Sequence, residues 1–485
     1  MYGSIEIYKI GRWLFFLLKI FKVVNLLILI LLIAGCIDES QNITLGENSE
    51  KPVYTKKTLP TPNEGNYDSE GIIKNELAIA DNKDHELWNQ TVKEYLQDDL
   101  WIDRDIYDSA HILMTPLHAA FKLSELDWQN DFAEHFKRFS NEIVSKNNNV
   151  SNNKLNRLQY LYLYSQFLVL AESEEKQELI PDNTKEILLD ELELHWKEPA
   201  WLWGREPFSS GMAERLNWKL NNKNVPKSYY RAIFDEELFM FAIAADVRSY
   251  EKLTTPENLW SPLVTEILSF SAKVFSKEVE FNEDGGWLFQ PGVWSEHPDY
   301  AYVGHTEKIV GMKMMPRKNI SMDSSHSHRF PLWLSSLSNA YKEDSQEKEY
   351  YEKLLEGLKY QFLNKVIVNP TSDFSGYRIN NFMDGWNGIY RWGYSTQGEN
   401  NGYGPYELSG TLIEGWWGFL ESPQVSSIFK DMSNLFPLEE NVVKLYVGPN
   451  TTRERHPLAT WPNYFINGFG ELNVRLMTKL MANKD

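Results

Sequence analysis

The chain has 485 residues, 49 Lys+Arg against 68 Asp+Glu, a formal charge of −19, and a single cysteine. That length is ample for one large core or two smaller ones. The acidity argues against nucleic acid as a partner, and one cysteine excludes a disulfide framework or a cysteine-built metal site.

At the start, Lys9, Arg12, Lys19 and Lys22 precede an apolar run, Val23 to Ile33, that ends in the small residues Ala34-Gly35 before Cys36. The run is short for a membrane span and has the order of a secretory signal, so residues 1–35 read as a signal peptide. Ile33-Ala34-Gly35-Cys36 resembles the lipobox of bacterial lipoproteins. The resemblance implies acylation of Cys36 and a lipid-anchored protein of the cell envelope, facing outside the cytoplasm and held to the membrane by its N-terminal lipid. An uncleaved anchor from Trp13 to Ile33 is the alternative. Residues 36–75, rich in Asn, Glu, Ser, Thr and Pro, read as a flexible tether.

Residues 76–485 hold stretches with helical apolar spacing near 84–97, 105–123, 126–145, 152–173, 183–196, 226–251, 257–278, 325–342, 347–366, 408–420, 424–436 and 468–483. Asn183-Thr184 and Thr255-Pro256-Glu257 look like helix starts. Val442 to Val447 is the best strand signal in a chain that reads as mostly α. Short links alternate with four long loops, at about 197–218, 281–329, 371–407 and 450–467. If the helices are antiparallel, those loops converge on one rim. The pattern predicts six helical hairpins closed into an (α/α)6 toroid with long loops crowning one end; an open solenoid would show an internal sequence repeat, and none is evident. This helix count, loop phase and aromatic-rich loop set resembles the six-hairpin toroid group of carbohydrate-active enzymes, polysaccharide lyases and glycosidases among them.

The loops carry the aromatics that sugar rings stack on, Trp203, Trp287, Trp294, Tyr300, Trp386, Trp392, Tyr403 and Trp461, with Arg391 beside them. Basic and acidic residues balance in the loops, so an anionic polysaccharide is admissible there although the chain as a whole is acidic. Segment 294–307 and the run Asp323-Ser324-Ser325-His326-Ser327-His328-Arg329 are the densest in chemistry. In β-elimination from a uronate, Arg329 with His326 would neutralise the carboxylate, and His305 or Tyr302 would serve as base and acid. Asp323 and Ser324 also read as a helix cap. Hydrolysis needs two carboxylates, for which Asp384 and Glu407 are the first pair, with Glu206 and Glu414 in reserve. No compact metal motif and no cofactor are expected. His297, Asp299, His305, Glu307, His326 and His328 are ligand types from which a structural Ca²⁺ or Zn²⁺ site could be made. The expected function is extracytoplasmic polysaccharide degradation, by elimination in preference to hydrolysis; a non-catalytic glycan-binding or envelope-assembly lipoprotein is the reading from another class.

Overall fold

The computed structural model describes residues 79–102, 104–145, 150–394, 398–449 and 455–482, all within the unit Lys74–Asp485. The expected signal peptide, Cys36 and tether lie outside the described residues. What is described is mostly helical, with little strand. Among the described residues, no helix is long and apolar enough to cross a membrane.

In chain order the helices are α1 (Asn82–Gln90), α2 (Val92–Leu96), α3 (Asp105–Ile112), α4 (Met114–Lys122), α5 (Leu126–Val144) and α6 (Lys154–Ser173). Then come α7 (Thr184–Lys197), α8 (Met212–Asn221), α9 (Asp235–Thr254), α10 (Pro262–Glu278), α11 (Ser324–Ser327), α12 (Phe330–Asn339) and α13 (Gln346–Gln361). The last are α14 (Pro423–Ser433), α15 (Glu440–Val447), α16 (Asn463–Ile466) and α17 (Phe469–Ala482). Two antiparallel ribbons interrupt them: β1 (Val279–Phe281) with β2 (Trp287–Phe289), Val279 opposite Phe289, and β3 (Ile367–Val368) with β4 (Arg378–Ile379).

Local chemistry sets several boundaries. The Asp81 carboxylate accepts from the backbone of Lys83 and Asp84 while Asp84 returns a bond to Asp81 N, a capping box on α1. Ser261 and Ser422 cap α10 and α14, each followed by proline at the first position. The start expected at Thr255-Pro256-Glu257 is only a 3₁₀ turn, Glu257–Leu259, and the helix waits for the better Ser261-Pro262 signal. Asn183 immediately precedes α7 but contributes no side-chain cap.

Three further expectations change. The region 226–251 becomes helical in earnest only at Asp235. Val442 to Val447 lies in helix α15, not a strand, because Val442 and Tyr446 bury together at i, i+4. Residues 408–420 form two 3₁₀ stretches, Ser409–Leu412 and Trp416–Leu420, in place of an α-helix. Gly415 between them has φ +89°, and a Cβ there would stand 2.4 Å from Thr115 Oγ1. The same Thr115 hydroxyl donates to Glu414 O at 2.8 Å, so this close approach pins the segment to α4.

Packing follows a regular order. α3 and α4 pack on α6, α6 on α9, α9 on α12, α12 on Trp416–Leu420, that segment on α17, and α17 back on α4. α5, α7, α10, α13 and α14 each lie beside a member of this series. The core between them is rich in aromatics; Trp88 stacks on Trp128 at 4.2 Å and Phe362 on Trp417 at 4.6 Å.

Gly415→Ala is expected to cost about 1–3 kcal/mol, from the left-handed backbone and the Thr115 clash together; the shift in urea midpoint at constant slope measures it, and pairing it with Thr115→Ala should recover part of the loss.

Candidate active site

Two adjoining cavities of about 330 and 560 Å³ open where the long loops gather. Leu155, Asp235, His326, Tyr390, Arg391 and Tyr394 line both, so they form one cleft. Each of the four loops contributes: Trp201 and Trp203 from the first, Trp294, Tyr300 and His326 from the second, Arg391 and Glu407 from the third, Arg455 and Trp461 from the fourth. The first turns of α3, α6 and α9 contribute as well, through Tyr107, Asn156 and Asp235. A third cavity of about 730 Å³ is lined instead by residues from the C-terminal halves of α4, α6, α9 and α17, with residues along α12 and from the N-terminal part of α13. α6 and α9 therefore point their N-terminal, partially positive ends at the cleft.

The smaller cavity is ionic. Arg329 is buried at its base, where Nη1 pairs with Asp235, Nε donates to His111 Nε2 at 3.0 Å and Nη2 donates to Tyr107 Oη at 3.2 Å. His111 Nδ1 lies 2.9 Å from the Tyr107 carbonyl, which can only accept, so Nδ1 carries the proton and Nε2 the lone pair that receives Arg329. Burial and then the Arg329 charge push the His111 pKa well below the usual histidine value, keeping the ring neutral as this tautomer requires. His328 directs Nδ1 at Ser325 O, 2.5 Å away, and Nε2 at Glu414 Oε2, 3.1 Å away. Arg104 and Arg455 both approach Asp108, at 3.6 and 3.3 Å. Burial raises the Asp108 pKa despite those two cations.

The larger cavity is aromatic. Trp203 sits edge-on to Trp201, Tyr229, Phe234 and Trp294, with centroids 5.0 to 6.0 Å apart. Trp201 is half exposed, leaving an indole face for a ligand.

His326 stands on the wall common to both cavities. Its Nδ1 lies 2.8 and 2.9 Å from the two carboxylate oxygens of Asp323, which also caps α11 through His326 N. Tyr300 Oη donates to Asp323 Oδ2 at 2.9 Å and Ser325 Oγ to Oδ1 at 2.5 Å. Burial alone would raise the Asp323 pKa, but the His326 charge and the bonds from His326 and Ser325 outweigh it and hold the carboxyl well below its usual range. Asp323 thus fixes the ring and its tautomer, leaving Nε2 as the basic atom. Beside it, Arg391 donates Nε to Asp299 at 2.8 Å, and its Nη atoms donate to no described residue.

Of the residues singled out from sequence, His326, Arg329, Glu407, Trp203, Trp294, Tyr300, Arg391, Tyr403 and Trp461 line this cleft. His305, Tyr302 and Asp384 line neither cavity. His305 Nε2 is engaged with Lys313 O at 2.8 Å, and Asp384 accepts from Trp386 N at 3.0 Å in a local turn, its pKa raised by burial. Trp287 is buried in the core with Nε1 donating to Leu354 O, and Trp386 donates to Val303 O. Trp392 also lies off the lining, beside Tyr302. Asp384 and Glu407 are therefore not brought together, and Glu407 is held by Lys308 at 2.7 and 2.8 Å. Glu206 is exposed on its loop, and Glu414 is in the cleft. Among the described residues no three His, Cys, Asp or Glu side chains gather as a metal cage; His297, His305, His326 and His328 each spend a ring nitrogen elsewhere.

Sequence reading missed Arg104, Tyr107, Asp108, His111 and Asp235. A signal was present: positions 104, 107, 108 and 111 make one polar stripe at i, i+3, i+4, i+7 along α3 and the residue before it. No family model matches this chain, and no curated protein matches it.

Removing one partner of the buried Arg329–Asp235 pair leaves an uncompensated charge, so Arg329→Met or Asp235→Asn should each cost about 3–5 kcal/mol, and the double variant much less than their sum; chemical denaturation of all four proteins closes the cycle. His111 binds its proton less readily folded than unfolded, so its share of stability is intact above its unfolded pKa of about 6.5 and declines as pH falls below it. Denaturation midpoints from pH 8 to pH 5 should fall less steeply for His111→Gln than for the parent, at slopes of up to about 1.4 kcal/mol per pH unit for one proton.

Proposed function

We propose that the protein is an extracytoplasmic enzyme, anchored by lipid on Cys36, that cleaves uronate-containing polysaccharide by β-elimination, on an (α/α)6 toroid of six hairpins. The cyclic order of helix packing supports the toroid. The observation that carries the chemistry is the His326–Asp323 pair, set between an aromatic and an ionic cavity with Arg391 on the same wall.

The residues suit the steps. A sugar ring stacks against the Trp201–Trp203–Trp294 cluster, and a uronate carboxylate pairs with Arg391 Nη, drawing charge from C5. Helix N-termini at the cleft add to that field. His326 Nε2 takes the C5 proton, and Asp323 stabilises the imidazolium that forms. The C5 electron pair becomes the C4–C5 double bond, the C4–O4 bond breaks, and Tyr107 or Tyr394 protonates the leaving O4. Arg329, committed to Asp235, His111 and Tyr107, acts here as the residue that positions Tyr107.

Hydrolysis is the second reading, favoured by one observation: Asp108 lines the ionic cavity with a pKa raised by burial, as a general acid needs. The test is incubation with a panel of uronate and neutral glycans, read by ultraviolet absorbance of the unsaturated uronate and by product mass. Elimination gives absorbance and products that sum to the mass of the substrate; products heavier by water without absorbance overturn it, and binding without products indicates a glycan-binding protein. His326→Asn should lower turnover about 10²–10⁴-fold while leaving glycan binding within a fewfold of the parent.

A further inference from the structure

Residues 306–319 carry Lys308, Lys313, Arg317 and Lys318 against the lone Glu307, a local excess of three positive charges, four less one, on a chain of net charge −19. The same stretch exposes Ile309, Val310, Met314 and Met315, at 56, 80, 72 and 47%. These tips are not loose ends of a poorly held segment. Gly304 N donates to Met315 O and Met315 N to Ala301 O, each at 2.8 Å, and His305 Nε2 engages Lys313 O. Lys308 reaches Glu407, and the Arg317 guanidinium lies 3.8 Å over the Trp386 ring. No described residue forms an ion pair with Lys313 or Lys318. A pinned base thus presents aliphatic side chains flanked by uncompensated cations to solvent.

We infer that this loop docks the protein on an anionic lipid surface. Aliphatic tips gain by leaving water at the boundary between headgroups and acyl chains, and flanking lysines gain from the negative potential of the same surface. An acidic glycan would satisfy the lysines but offers no apolar phase for Val310 and Met314. A second copy meeting it loop to loop would present the same positive charge and be repelled. The acidic remainder of the chain is repelled by such a surface, so charge also orients the protein with this loop inward. The inference is independent of the reaction proposed for the cleft.

Cys36 is the only cysteine, so the full chain carrying Cys36→Ser and Val310→Cys takes one environment-sensitive fluorophore at the loop tip. On phosphatidylcholine vesicles containing phosphatidylglycerol the emission should shift to the blue, and the shift should diminish with added salt. Adding Lys313→Glu and Lys318→Glu should weaken the titration on the order of tenfold or more. Adding Met314→Asp and Met315→Asp should abolish the blue shift. An equal response to pure phosphatidylcholine, no response to either vesicle, or a response to soluble acidic polysaccharide in place of vesicles overturns the inference.

Discussion

Arg329 is the joint on which the floor of the cleft depends. Its three donors reach Asp235 at the start of α9 and Tyr107 and His111 in α3, partners 94, 222 and 218 residues away along the chain. A buried guanidinium is tolerable only when its charge and hydrogens are matched together, which makes the arrangement exacting. Asp235 supplies the counter-charge, and His111 must be neutral and protonated on Nδ1 to accept from Nε. One ionic contact therefore fixes the relative position of three helix ends and the protonation of a histidine.

The direction of the helices then decides what kind of ligand those ends favour. Residues from the first turns of α6 and α9 line the cleft, and residues from their C-terminal halves line the cavity of about 730 Å³. Positive helix ends at the cleft lower the electrostatic cost of bringing an anion to an acidic protein. In the other cavity, Lys252 donates to the carbonyls of Asn339 and Tyr341, answering the opposite sign of the helix dipole. There Asp246 is fully buried, and burial raises its pKa to about 7 although Ser165 and Gln166 donate to its carboxylate.

Loop chemistry was readable unevenly, and the reason is physical. His326, Arg391, Trp203 and Trp461 were marked by residue type alone, because polar and aromatic residues in long loops must serve either a ligand or the loop's own backbone. Type cannot separate those two uses. His305 proved to brace the 306–319 loop and Trp287 to fill the core, each through a carbonyl far from it in sequence or outside its turn. Asp235 and His111 sit in helices, where a polar residue reads as part of a solvated face until tertiary contacts bury it.

Apolar periodicity by itself determined that the chain is mostly helical and placed most helices within a few residues, since burial of one face at a 3.6-residue period is a local property. It also determined where the long loops fall. Only the tertiary structure decided that Gly415 breaks a helix, that Val442 to Val447 coils where it could have extended, and which ionisable groups meet. Those outcomes turn on atoms brought within a few ångströms from opposite ends of the chain: Thr115 against Gly415, Arg329 against His111. Sequence order carries no record of such distances.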